Sequence, residues 1–495
     1  FVHIIGLTIG LLATSLLILY VDYEYSYDKH HQKSSQIYRL THTRVIDGEP
    51  TYTKASVFPE LGIELENAIT SIESSARLFP VAAEFHPIFT FENELGKPSN
   101  FTEKDIYLSD STFLKIFDFK WIGSSNNDAL SKPNQIIVSK SLALRVFGKT
   151  DVVGNQLNWR GMGTWQISGV FEDWPPTSHL HFDMLASWVP VYGKQSLHRW
   201  DGFYTYILTT PLDNLEELKQ EVKLFSKQYL ASHNEQFNVS SDIGIQPLID
   251  IHLSSNLNNE FELNGNREIV HGLFIMSIAI LLIAVFNYIN LATSAVSQRS
   301  KEVGVRKIVG SKTKEIRAQF LIESFCLVLF SHLLCLLLLQ LIVPAFNQKM
   351  GVEIDLYKWL STPQFWSAFL GSTVLITLLT GSYPALLMSR IKAINLIAKI
   401  TSQNRKKTSL RSVLMTTQLA MAILFSMLAI VAYFQVDFIT NKSLGYNKEI
   451  LVVKSMELIT DNNDSTFVNR IESLKNELSD FNDIGNATLT SHIPG

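Results

Sequence analysis

The sequence predicts an α-helical transmembrane protein with a large α+β domain inserted between the first and second membrane helices. Three observations carry that prediction. Five apolar runs, at about 1–21, 271–294, 320–343, 365–388 and 412–434, hold few or no charges, and each reaches the roughly 20 residues that a membrane helix needs. A mixed, polar stretch of 22–270 separates the first run from the second and is too long for a structureless loop. Positive charge is concentrated in two of the three short connections. Loop 295–319 carries Arg299, Lys301, Arg306, Lys307, Lys312, Lys314 and Arg317; loop 389–411 carries Arg390, Lys392, Lys399, Arg405, Lys406, Lys407 and Arg411 with no acid. Loop 344–364 balances two Lys against one Glu and one Asp.

The positive-inside rule then places 295–319 and 389–411 in the cytoplasm and 344–364 outside. Spans alternate without a forced choice, so domain 22–270 and the tail from 435 lie outside. The first run, "FVHIIGLTIGLLATSLLILYV", resembles the core of a signal peptide in position. It has the length of a span, however, and "DYEYSYDKHH" follows it rather than a small-residue cleavage site. The first residue is Phe and the last stretch is "SHIPG", which reads as a fragment cut at both ends. Net charge is −4 over 495 residues, which argues against a nucleic-acid partner. Cys326 and Cys335, the two cysteines, lie in one apolar run and suggest neither a disulfide framework nor a zinc site.

Within the external domain, "NQIIVSKSLALRVFGKTDVVGNQLNW" reads as strand, helix, turn and strand, with Ser139 or Ser141 as N-cap and Gly148 as the stop. "NWRGMGTWQISGVFEDW" reads as a hairpin around Gly161-Met162-Gly163. "LEELKQEVKLFSKQYLASH" has the period of an amphipathic helix of about 19 residues. Two motifs imitate ligand sites. "FGKT" at 147–150 resembles the end of a phosphate loop, but the earlier glycine it needs falls on Ala143. "SHLHFD" puts His179, His181 and Asp183 on one side of a strand with no third strong ligand close by. The expectation is therefore an ordinary strand, and a domain that stays folded when both histidines become Ala. No G-x-S-x-G, H-E-x-x-H or C-x-x-C occurs, so no catalytic residue, metal ligand or cofactor-binding residue is assigned.

Loop 295–319 asks for more than topogenic charge. Val305, Ile308, Val309 and Ile316 can share a helix face. Gly304 and Gly310 weaken a helix and permit a turn. The pattern suggests a short amphipathic helix, a turn at Gly310, and a restart capped by Ser311 or Thr313. Glu302 and Arg306 stand at i, i+4. In the second span Asn287, Asn290, Thr293 and Ser294 lie along one side and are expected to pack against other helices. Glu323 sits near the inner end of the third span. Gly381 and Pro384 mark a candidate hinge in the fourth.

Long strings of this chain resemble one family. "SYDKHHQKSSQIYRLTHT", "ALSKPNQIIVSKSLALRVFGKTDVVGNQL" and "ISGVFEDWPPTSHLHFDMLAS" are similar to its external domain. "FNYINLATSAVSQRSKEVGVRKIVGSKTKEIRAQFLIES" and "GSYPALLMSRIKAINLI" are similar to its membrane region, with Ala393 where the family usually has Pro. The family is the permease of MacB/FtsX-type ABC transporters, in its two-repeat form with a periplasmic core domain. The resemblance implies residence in the bacterial inner membrane with the large domain in the periplasm. It makes 412–434 and 435–495 the start of a second repeat. It implies ATP hydrolysis on a separate ABC ATPase subunit, with no cofactor and no enzyme activity on this chain. The ATPase-coupling residues would be Arg299, Glu302, Gly304, Val305, Arg306, Ile308, Val309 and Gly310. Other expected partners are membrane lipids, a dimer or pseudo-dimer of repeats, and a periplasmic partner. The implied function is transmission of cytoplasmic ATP hydrolysis to the periplasmic domains to export a peptide, drug or lipoprotein. The alternative is an FtsX-like regulator that relays ATPase motion to a periplasmic hydrolase without transport. A sensor receptor and a membrane enzyme are further alternatives; no signalling domain lies between the spans.

Overall fold

The computed structural model describes residues 2–46, 49–81, 87–92, 96–123, 128–188, 201–231, 234–235, 240–389, 410–442, 472–478 and 481. Most of the linker 389–411, with Ala393, and most of the tail from 435 lie outside the described residues.

The chain enters through helix α1 (Val2–Tyr25) and leaves it for the external domain. One twelve-stranded sheet organises that domain. Its strands are β1 (Ile37–Ile46), β2 (Glu49–Lys54), β3 (Ile72–Pro80), β4 (Ile88–Glu92), β5 (Pro98–Thr102), β6 (Ile106–Ser109), β7 (Gln135–Ser139), β8 (Gln156–Trp159), β9 (Gly163–Phe171), β10 (Met184–Ser187), β11 (Tyr204–Thr209) and β12 (Ser240–Pro247). The order is β12-β1-β11-β3-β6-β10-β7-β9-β8-β4-β5, with β2 on β1. Pairing is antiparallel except for β6 with β10 and β7 with β9. Strand β7, "QIIVS", lies between two neighbours and is buried almost throughout, as a central strand covered on both faces should be. Strand β5 at the edge alternates exposed and half-buried residues.

Helices α2 (Leu61–Ala68), α3 (Phe113–Ile116), α4 (Lys140–Phe147) and α5 (Leu215–Tyr229) pack on this sheet. The Ser139 hydroxyl caps α4 by accepting the Leu142 N–H at 3.1 Å, and Gly148 ends it at φ +70°. Helix α5 buries Leu218, Val222 and Ser226 at i, i+4 and i+8. It has 15 residues and ends at Tyr229, where Leu230 leaves helical geometry while staying in the core. The hairpin forms between β8 and β9, with Gly161 and Gly163 both at φ +84°. A short helix, α6 (Ile251–Ser254), leads from β12 back toward the membrane.

The remaining long helices are α7 (Arg267–Ile308), α8 (Thr313–Met350), α10 (Pro363–Ser389) and α11 (Leu410–Asn441), with a short α9 (Leu356–Leu360) between α8 and α10. Among the described residues, five segments are long and apolar enough to cross a membrane: Val2–Tyr25, Arg267–Ser294, Thr313–Met350, Pro363–Leu386 and Ser412–Asn441. Leu7, Leu11, Ala284, Tyr288, Val328 and Ile376 join four of these helices in one buried cluster. The approach of α1 to α7 depends on glycine. A Cβ at Gly10 would lie 2.3 Å from the Ala284 Cβ, and one at Gly6 would lie 3.2 Å from Asn287 Nδ2. Gly6 and Gly10 are four apart, on one face, and let the two backbones meet. Helix α11 touches α7 through Asn290 Nδ2, which donates to Gln418 Oε1 at 3.4 Å, and Leu414 packs on the same cluster, while most of its other described residues are exposed.

Candidate functional site

Helix α7 has 42 residues, or about 63 Å at 1.5 Å per residue. That is twice the roughly 30 Å of a hydrocarbon core, so its C-terminal turns project from the bilayer. The short separate helix expected around 299–309 is instead the continuous end of α7. It stops in a full Schellman motif: Ser311 N–H donates to Arg306 C=O at 3.0 Å, and Gly310 N–H to Lys307 C=O at 3.2 Å. Gly310 stands at φ +106°, which a residue with a side chain rarely adopts. The next helix is capped neither by Ser311 nor by Thr313. Lys312 occupies the N-cap, and the Glu315 carboxylate reaches back to accept its N–H at 3.0 Å.

Around this turn the side chains separate into two sets. Val303 and Ile316 bury each other with Phe320 and hold the two helices together. Val305, Ile308 and Val309 are 60%, 59% and 82% exposed. Ile316 therefore does not share their face; its place is the small core beneath. Arg306 pairs with Glu302 at 2.6 Å and donates to Gln319 Oε1 of α8 at 2.8 Å. The guanidinium thus clamps the turn and borders the apolar tip. Gly304 is buried within α7. Arg299 lies on the α7 backbone, and its side chain is outside the described residues. The arrangement is a braced apolar tip with a charged rim, suited to docking in a groove of another protein.

The intramembrane positions divide likewise. Asn287 packs on Gly6, Asn290 reaches Gln418, and Ser294 donates to the Leu291 carbonyl at 2.7 Å. Glu323 accepts from Gln319 at 3.1 Å. Gly381 lies against Ser324 of α8, whose Oγ would be 2.9 Å from an added Cβ, and α10 continues through Pro384 to Ser389.

At the external end, buried polar pairs fasten the domain to the spans. Glu24 at the end of α1 pairs with His252 of α6 at 2.8 Å, and Gly265, just before α7, is pressed against both. One turn further, Asp28 is fully buried with its carboxylate 2.9 Å from His179 Nδ1, while His179 Nε2 meets the Tyr206 hydroxyl at 2.8 Å. Burial raises the Asp28 carboxyl, but the charge and hydrogen bonds of His179 outweigh it and hold the group below its usual range. His181 pairs with Glu262 at 2.8 Å. Asp183 accepts from Ser139 at 2.6 Å. "SHLHFD" is thus irregular rather than a strand, and sends its three candidate ligands to three separate places.

Sequence reasoning missed one further chain of contacts. Ser241 Oγ lies 3.0 Å from His42 Nε2, and His42 Nδ1 lies 3.1 Å from Asp201 Oδ2. Serine, imidazole and carboxylate stand in the order of a nucleophilic triad. Ser241 and His42 are only 5% and 4% exposed, and Lys54 also binds Asp201 at 3.0 Å. With its hydroxyl closed off, the chain fastens β1, β12 and the segment before β11 together. It was invisible in sequence because the three residues are about 40 to 200 positions apart and no local motif surrounds them. Glu103, Asp105 and Asp183 also converge. Arg145 pairs with Glu103 and lies 3.3 Å from Asp183, supplying the positive charge there.

A sheet domain thus lies between the first two of five membrane-length helices found among the described residues, and a braced turn follows the second. Two family models match, the MacB-like periplasmic core domain over residues 1–224 and the FtsX-like permease C-terminal region over 274–393. The chain belongs to the MacB/FtsX-type ABC transporter permeases. It is 33% identical over 129 residues to the macrolide export ATP-binding/permease protein MacB of Shewanella sp. (strain W3-18-1), covering 26% of this chain and 19% of that one. It is 25% identical over 211 residues to the uncharacterised ABC transporter permease YknZ of Bacillus subtilis (strain 168), covering 42% and 49%. The chain thus spans half or less of the length of these two relatives. The periplasmic region of MacB from Actinobacillus actinomycetemcomitans aligns at a TM-score of 0.31 and 10% identity, over 44% of this chain and 91% of that one.

Proposed function

We propose that this permease couples ATP hydrolysis on a separate ABC ATPase subunit to movement of its external domain, in a bacterial inner membrane with that domain in the periplasm. The observation that carries the reading is the tip of α7. Val305, Ile308 and Val309 are presented to solvent at 60%, 59% and 82% exposure on a helix that is continuous with a membrane span. Arg306 and Glu302 rim the patch, and Gly310 shapes the turn behind it. A displacement at the tip is carried along α7 to Gly265 and the Glu24–His252 pair, and from there into the sheet. Gly381 and Pro384 are proposed as the hinge of α10 that accommodates this movement. Export of a peptide, drug or lipoprotein is the use of the movement that the family resemblance favours.

The test is co-purification of the full-length protein with its ATPase, comparing wild type with Val305→Asp plus Ile308→Asp. Both positions are exposed, so the variant keeps the fold. We expect the ATPase to be retained by wild type and lost from the variant. Equal retention by both would remove the α7 tip from the docking surface.

A further inference from the structure

We propose that the cleft between α8 and α10 holds one anionic glycerophospholipid, with its acyl chain against the helices and its phosphate at Lys314 and Arg317. The cleft is a groove of about 230 Å³ lined by Leu321, Ile322, Phe325, Val374, Thr377 and Leu378. It exists because the two helices are pinched together beside it. A Cβ on Gly381 would sit 2.9 Å from Ser324 Oγ and 3.2 Å from Leu321 Cδ2, so no side chain fits between the backbones there. Just beyond, Ile322, Val374 and Leu378 stand out at 62%, 51% and 52% exposure and form two walls. The Thr377 hydroxyl turns back to the Thr373 carbonyl at 2.7 Å, which leaves the groove without an unsatisfied polar group from that residue. Such a surface suits a hydrocarbon chain.

Charge selects the head group. Lys314, Arg317, Leu321 and Phe325 succeed one another at spacings of three and four along α8, so they share one face. Arg317 is four residues, about 6 Å, above Leu321, which is where a phosphate lies relative to the first methylenes of its chain. Lys314 and Arg317 are exposed, and α8 begins one residue before Lys314. A lysine or arginine near the bilayer surface favours anionic lipid about fivefold each. Naming the leaflet as cytoplasmic rests on the orientation proposed above; the lipid's place on α8 does not.

The probe is phosphatidylglycerol with brominated acyl chains, which quenches tryptophan on contact. Full-length protein carrying Phe325→Trp is reconstituted in phosphatidylcholine vesicles with a minority of phosphatidylglycerol. Bromine is placed on one lipid or the other, and the signal of the wild-type tryptophans is subtracted. We expect quenching by brominated phosphatidylglycerol to exceed that by an equal amount of brominated phosphatidylcholine about fivefold or more. Lys314→Gln plus Arg317→Gln, both at exposed positions, should bring the two level while total quenching persists. Equal quenching by the two lipids without those substitutions overturns the proposal. So does an absence of quenching by either, which would mean that another helix fills the groove. Labelling of α8's start from outside would overturn the proposed orientation while leaving a lipid preference intact.

Discussion

His179 fills two roles at once: it neutralises the buried Asp28 carboxylate and meets the Tyr206 hydroxyl. Its removal leaves a buried charge short of its counter-charge. We expect His179→Ala to destabilise the external domain by about 3 kcal/mol or more, read as urea unfolding of the full chain. His181→Ala should cost about 1 kcal/mol or less, because the His181–Glu262 pair is 37% exposed on both sides. The two histidines looked alike in sequence; their unequal burial separates them, so the double Ala variant is now expected to destabilise the domain through His179. Acid should act on the same region. Burial, then the charge of His30, pushes His31 down to about 3, and burial also lowers His30. A base depressed in the fold stays neutral while the unfolded chain takes up protons near 6.5. Its stabilisation is full above 6.5 and falls as pH drops toward 3. His181 runs the other way: burial lowers it, but Glu262 raises it more, so its contribution is lost as pH rises. Going from pH 7.5 to 5.5 should cost about 1.4 kcal/mol through His31 alone. His31→Phe should flatten that dependence, and an unchanged pH profile would remove His31 as its source.

At the scale of elements, helix contacts depend on residues too small to announce themselves. The Gly6 and Gly10 spacing was present in the first span, but its partner on α7 was not readable, since Ala284 lies 274 positions away. We expect Gly10→Leu to lower thermal stability by about 1–3 kcal/mol, because even the first added atom would stand 2.3 Å from Ala284 Cβ. Ala284→Gly should restore part of it in the double variant; no restoration would mean that α1 and α7 do not meet there. Local signals were legible wherever local physics decides. Ser139 and Gly148 bracket α4, and the glycines of 161–163 turn the hairpin. The end of α7 was not legible. Gly304 and "EVGVRKI" suggested an independent helix, whereas burial of Val303 on Ile316 lets α7 continue to Ile308.

For the molecule as a whole, hydropathy made the spans legible, because a bilayer imposes length on any sequence that crosses it. The sheet order was not, since β1 joins β11 and β12 across more than 160 residues. The buried junction at Glu24, Asp28, His179 and His252 was also hidden, being assembled from three separate segments. We propose that these features work as a lever, with the α7 tip on one side of the membrane and the sheet on the other. Its central claim is that sidedness. The most direct measurement places single cysteines at Ser311 and Ser131 in a full-length protein whose Cys326 and Cys335 are replaced by Ala, then labels intact cells with a membrane-impermeant maleimide. We expect Ser131→Cys to be labelled in intact cells and Ser311→Cys only after the membrane is opened. Labelling of Ser311→Cys from outside would contradict it.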